Sequence, residues 1–370
     1  RSWRFFEAFV DQEDHALPPD NFQEDPEPAG AHRTSPTNLG LYLLSTTVAH
    51  DFGWIGILDT AERLEATLHT MTNLHRVRGH FVNWYDTRNL RPLDPMYVST
   101  VDSGNLAGHL IALAQACREL MHRPLFGPEI SEGILDALQL LLGSVAKAGH
   151  PWRAQMATAA QLREAIEAMS AGLQDAPTSL PEWVGRFREL KTRAESLMDL
   201  ARKLATEVED GPRSEILAWA EAVRDSVRSH ARDLETDDAN LGHRLSALAL
   251  LAEGMVQAMD FQFLFDSSRK LFSIGYRVAD GTLDPSGYDL LASEARLASF
   301  VAIAKGDLSP QHWFLLGRSL TPVGRGAARR HLLLELGHRQ FGEPEAALRR
   351  LTARCSTGGH ACGYGGACNG

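Results

Sequence analysis

DPSGYDLLASEARLASFVAIAKG, residues Asp284 to Gly306, reads as one amphipathic helix. Asp284 can cap the free N–H groups of its first turn, and Pro285 sits where a missing N–H costs nothing. Leu290, Leu291, Leu297, Ala298 and Val301 recur at the spacing of one helical face. Glu294 falls within that stripe. An ionised carboxylate there is costly unless it is paired, neutralised or turned to a cleft. Two readings follow. Glu294 is a general acid whose burial keeps it protonated, or it is a structural carboxylate paired with an arginine from another helix.

Working outward, the chain has 370 residues and a net charge of −10. The length allows one large domain or two ordinary ones. An acidic balance argues against nucleic acid as the main partner. No apolar run reaches membrane-spanning length and no signal peptide is evident. The first residue is Arg, so the chain is expected to be a piece of something longer. Cys117, Cys355, Cys362 and Cys368 form no C-x-x-C pair, so neither a zinc site nor a disulfide framework is expected.

Other helices announce themselves by their starts. Ser35 before Pro36 caps a segment with Leu39, Tyr42, Leu43 and Val48 inward. Asp59, with Glu62 three residues on, resembles a capping box for Ala61, Leu64, Leu68 and Met71. Asp102 or Ser103 caps Leu106, Leu110, Leu113 and Cys117. The first and third starts look alike, with Asn38 and Asn105 lying 67 positions apart. That spacing suits helical hairpins repeating around an axis, with capping side chains rimming one mouth. Between them, Trp84 and Tyr85 stand beside Asn83, Asp86 and Arg88. Such a loop binds sugars or anchors itself to the core, and Trp54 has the same two readings.

Residues 1–33 read as an extended approach segment, 34–123 as a first group of helices, and 124–245 as further helices. Within the last, Phe187, Leu190, Ala194, Leu197, Ala201, Leu204 and Val208 face Ala220, Val223, Val227, Ala231 and Leu234 across a break at Glu209–Arg213. This predicts an antiparallel hairpin with a coiled-coil-like seam and a charged, solvated outer face. Leu241 to Phe263 predicts another helix. Lys270 to Val278, closed by Asp280-Gly281, is the best strand candidate. After Arg329 the composition shifts to Arg, Gly, His and Cys, which favours disorder. Cys355, His360, Cys362 and Cys368 there match no familiar metal-site spacing.

Several long blocks are specific. SPTNLGLYLLSTTVAHDFGWIG, GHFVNWYDTRNLRPLDPMYVSTVDSGNLAGHL, KLFSIGYRVADGTLDP and YDLLASEARLASFVAIAKGD, with PPDNFQEDP and TPVGRGAA, closely resemble the central part of bacterial cyclic β-1,2-glucan synthases. The resemblance covers roughly residues 1–328. It implies an all-α fold, part of an (α/α)6 toroid with an inserted helical hairpin and a short β-hairpin-like segment. Residues 246–328 would then carry the second part of the toroid. The implied chemistry is ring closure of linear β-1,2-glucan by retaining transglycosylation, with two carboxylic acids and no cofactor or metal. The acid/base of the family's SEAR motif falls on Glu294. The nucleophile belongs to a Gly-Ile-Ser-Glu segment that this sequence lacks. A Trp-Ser-Gly segment expected after TPVGRGAA is also lacking, and residues 329–370 look like a shifted reading frame.

From the residues and the resemblance together, Asn38, Trp54, Trp84, Asp86, Asp102, Asn105, Tyr276, Tyr288 and Arg296 are expected to hold the glucan. The implied partners are the glucan chain and the other domains of a large synthase. The implied location is the cytoplasmic face of the bacterial inner membrane, with no nucleic-acid or membrane contact from this part. A related β-1,2-glucan hydrolase and a non-catalytic glucan-binding remnant are the alternatives.

Overall fold

A computed structural model describes residues 2–23, 29–147, 153–175, 177–207, 214–235, 239–318, 320–322 and 328–330. The sequence expectations for the Cys/His-rich tail, and for Val208 in the hairpin seam, lie outside these residues. The fold is mainly helical. Among the described residues the helices are α1 (Ser2–Phe9), α2 (Pro36–Asp51), α3 (Ile57–Asn73), α4 (Thr100–Leu120), α5 (Pro128–Lys147), α6 (Arg153–Ala171), α7 (Leu180–Glu207), α8 (Glu215–Glu235), α9 (Leu241–Ala258), α10 (Arg296–Lys305) and α11 (Gln311–Leu315). The strands are only two or three residues long. No helix among the described residues is long and apolar enough to cross a membrane.

The chain divides into two compact units that interleave segments laid out consecutively in sequence. The first is built from the chain up to His32, from Leu41–Asn73 and from Ile111–Glu253. The second takes Arg33–Gly40, Leu74–Leu110 and the described chain from Gly254 on.

The first unit is a helical stack. Residues three and four apart on α7 (Phe187, Leu190, Ala194, Leu197, Ala201, Leu204) are buried with Ala220, Val223, Val227 and Ala231 of α8, and α5 and α6 add to the same core. Lys191 pairs with Glu235, and Arg228 with Glu195. Rising numbers on α7 thus meet falling numbers on α8, so the two helices are antiparallel as expected. Val48, expected inward on α2, is instead exposed.

The start of α3 shows how a local motif can mislead. Gly56 precedes the helix, which puts Asp59 inside its first turn rather than at the cap. The free N–H groups are capped from α8. Asp233 Oδ2 accepts from the Ile57 amide at 2.9 Å and Oδ1 from Leu58 at 3.1 Å, while Ser229 Oγ accepts from Gly56 at 2.7 Å. Asp59 and Glu62 instead both pair with Arg232. Asp233 is buried, and that burial pushes its carboxyl up to about 6, with the two amides pulling the other way.

The second unit combines short strand pairings and turns with the first half of α4 and with α10 and α11. The strand expected at Lys270–Val278 forms as two pieces, Leu271–Ser273 and Gly275–Arg277. The second piece pairs antiparallel with Thr282–Leu283 and, on its other side, with Tyr97–Ser99. Leu271–Ser273 pairs with Phe265–Asp266 and Gly287–Tyr288.

The stretch Asp284–Gly306 is only half helical. Helix α10 begins at Arg296; before it the chain bends at Pro285 and runs as strand only at Gly287–Tyr288. Three features explain the difference. Pro285 disfavours the helical region for Asp284. The Asp284 side chain closes its own turn by accepting from the Ser286 amide at 3.0 Å, in place of capping a helix. Gly287 joins the sheet opposite Ser273. The helix does end where expected, at Gly306 with φ 87°.

Candidate active site

Two helix starts, one turn and the Asn83-Trp84 loop frame a cleft in the second unit. Ser35 caps α2, its Oγ accepting from the Asn38 amide at 3.2 Å. Ser99 caps α4 in the same way, accepting from the Asp102 amide at 3.2 Å. The equivalent positions of the two starts are therefore Ser35 and Ser99, 64 residues apart, and not the two asparagines. Asn38 corresponds to Asp102, and both first turns line the cleft.

Glycines decide how closely these elements meet. A Cβ on Gly104 would lie 2.5 Å from the Ala298 nitrogen, and one on Gly108 would lie 2.6 Å from a Leu297 methyl. The absence of side chains on this face of α4 lets the first turn of α10 lie against it. That contact brings Glu294, in the turn just before α10, to the same cleft as Asp102 and Asn105. Gly40 of α2 gives way to the His109 imidazole of α4 in the same manner.

The cleft has a volume of about 530 Å3. Its polar groups are linked. Thr37 donates to Asp102 Oδ1 at 2.5 Å, and the Asn105 amide reaches the Thr37 hydroxyl at 3.5 Å. Trp84 lines the cleft with the Arg33 guanidinium 4.5 Å from its ring centre, which fixes the indole. Beside it, Asn83 is tied to Tyr97 through both its amide nitrogen and its side chain.

Glu294 is exposed. The expectation of a buried, helix-interior carboxyl walled by Leu290, Leu291 and Leu297 is therefore corrected. Leu291 is buried, but Leu290 is itself exposed, because the segment is not yet helical there. Tyr288 is held above the usual tyrosine range by its own burial, then by the charges of Glu294 and Asp102. It thus stands within electrostatic reach of both carboxylates as a neutral donor. Tyr97 is pushed up to about 12 by burial, with Asp284 and Tyr288 adding to it. Its ring occupies the space that a Cβ on Gly275 would need.

No family model matches the chain. The cyclic beta-(1,2)-glucan synthase NdvB of Rhizobium meliloti (strain 1021) is 45% identical over 340 residues, which cover 88% of this chain. The chain is related to a segment of a cyclic β-(1,2)-glucan synthase. It spans 12% of that synthase's length.

The structure brings Glu294 together with Asn38, Trp84, Asp102 and Asn105 of the residues expected to hold a glucan, with Tyr288 close by. It does not bring the others to this cleft. The Asp86 carboxylate accepts from the Arg88 and Asn89 amides and so shapes its own loop. Tyr276 packs its ring edge-on against Phe263. Arg296 opens α10 and is exposed, but it is not among the cleft-lining residues. Trp54 belongs to the first unit, where it stacks on Phe52. Ser35, Thr37, Asn83 and Val101 also line the cleft; Ser35 was expected only as a helix cap and Asn83 only as part of the Trp84 loop. Thr37 and Asn83 were reachable, since each adjoins a selected residue in the same cap or loop.

Proposed function

We propose that this segment closes linear β-1,2-glucan into a ring by retaining intramolecular transglycosylation, with Glu294 as acid and then base. The observation that carries the reading is the meeting of Glu294 with Trp84, Asn38, Asp102 and Asn105 in one cleft. These are the groups a sugar needs: a flat ring for its C–H face, and amides and carboxylates for its hydroxyls. The likeness to the Rhizobium meliloti synthase supports the choice of glucan. In the first step Glu294 would protonate the departing glycosidic oxygen while a nucleophilic carboxylate about 5–5.5 Å away takes the sugar. The resemblance assigns that nucleophile to a segment outside this sequence. In the second step Glu294 would deprotonate the glucan's own terminal hydroxyl, whose attack closes the ring. A bound chain would cover the exposed carboxyl and supply the desolvation that favours its protonated form.

With this reading goes the (α/α)6 toroid that the resemblance implies, and the matching caps at Ser35 and Ser99 support it. Product analysis tests the function. A synthase carrying this segment, given linear β-1,2-glucan, should release cyclic glucan. Short linear oligosaccharides alone would make it a hydrolase, and glucan binding without turnover would remove the catalytic reading.

A further inference from the structure

The first unit carries a second pocket, of about 430 Å3, within the ~300–1,000 Å3 range of small-molecule sites. Four elements build it. Helix α1 gives Trp3, Arg4 and Glu7, the α2–α3 connection gives Trp54, α5 gives Asp136 and Gln139, and α8 gives Trp219. Three of the chain's seven tryptophans thus meet in one place.

The indoles are held in fixed positions. Arg4 lies 4.3 Å over the Trp219 ring and Arg63 lies 5.3 Å over Trp3. Trp54 stacks on Phe52 at 5.2 Å between ring centres, with 25° between the planes. Trp54 and Trp219 are only half-buried, so part of each ring remains accessible. Around them stand hydrogen-bonding groups suited to hydroxyls. Asp136 and Gln139 are exposed. Burial holds the Glu7 carboxyl above its usual range despite Arg63, and its oxygens can accept from a hydroxyl. Core packing alone does not explain exposed carboxylate and amide groups beside half-open indoles.

We infer that this pocket is a second carbohydrate site, which grips a stretch of the same β-linked glucan chain away from the reacting end. The choice of ligand rests on the function proposed for the Glu294 cleft. The role follows from polymer physics. Ring closure needs both ends of one chain kept on the protein, and a second grip raises the effective concentration of the free end without any new chemistry.

Calorimetric titration of the 370-residue chain with linear β-1,2-linked glucan oligosaccharides tests it. Two binding events are expected. Trp219→Ala should weaken one of them by about tenfold. Gln139→Ala, a change at an exposed position that leaves folding intact, should weaken the same event. Trp84→Ala should act on the other event alone. An isotherm unchanged in both Trp219→Ala and Gln139→Ala overturns the inference, and if Trp84→Ala still weakens binding, the cleft reading survives. Weakening by the pocket variants with no effect of Trp84→Ala keeps the inference and removes the cleft reading. No binding to the unaltered chain sinks both.

Discussion

The two units of the molecule reach order by different means. In the first, long helices bury apolar faces, and the α7–α8 seam repeats the same contact turn after turn. In the second, order comes from single interactions at single places: a serine cap, a glycine under a backbone, a threonine on a carboxylate. Stability is therefore spread widely in one and concentrated in a few groups in the other. A scaffold of the first kind tolerates surface change, whereas a site of the second kind fails when one contact moves.

That contrast can be broken by mutation, and the largest effect on stability belongs to the seam. Leu197→Ala should cost about 2–5 kcal/mol in denaturant unfolding, because the side chain is fully buried. Below the unfolding transition it should leave ring formation intact. Gly104→Val should cost less, about 1–3 kcal/mol from overpacking against Ala298. It should nevertheless abolish ring formation, because it pushes Glu294 away from Asp102. Equal loss of activity in the two variants would show that scaffold and site are not distinct in this way.

A smaller effect is expected from pH. Burial pushes His80 and His230 down to about 4, so the folded chain binds fewer protons than the unfolded one between about pH 4 and 6.5. Stability from these groups is present above pH 6.5 and is lost as pH falls toward 4. Asp233 acts in the opposite sense. Its raised value means the folded chain holds a proton that the unfolded chain has released, so its contribution falls as pH rises from about 4 to about 6. Asp233→Asn should therefore make the acid loss of stability steeper over that window. A shallower slope, read from thermal melts, would contradict the assignment. The smallest effect should come from Lys191→Ala at the exposed Lys191–Glu235 pair, at about 0–1 kcal/mol.

Legibility followed the same division. The stripes of α3, α4, α7 and α8 could be read from the sequence because one apolar period governs many residues. The cap of α3 could not, since its acceptor Asp233 lies 176 residues from Ile57. Glu294 was found on a helical pattern that the structure does not follow, and it reached the cleft through the Gly104–Ala298 contact. Asp284-Pro285 and Gly287 carried the signal of an extended segment. The periodicity of the leucines masked it, because Asp before Pro serves a turn as well as a helix cap. Trp84 was legible as an aromatic in a polar loop. The same signal at Trp54 pointed elsewhere in the fold, since composition does not say which cavity a ring will line.

The central claim is that Glu294 moves the proton in ring closure, and Glu294→Gln in a synthase carrying this segment tests it most directly. The amide keeps the shape and removes the titrating proton. Cyclic glucan formation should fall by about 10²–10⁴-fold, while linear β-1,2-glucan is still made and still binds with unchanged affinity. Ring formation at the full rate in the Gln variant would contradict the account and leave Glu294 as an exposed carboxylate with no part in the chemistry.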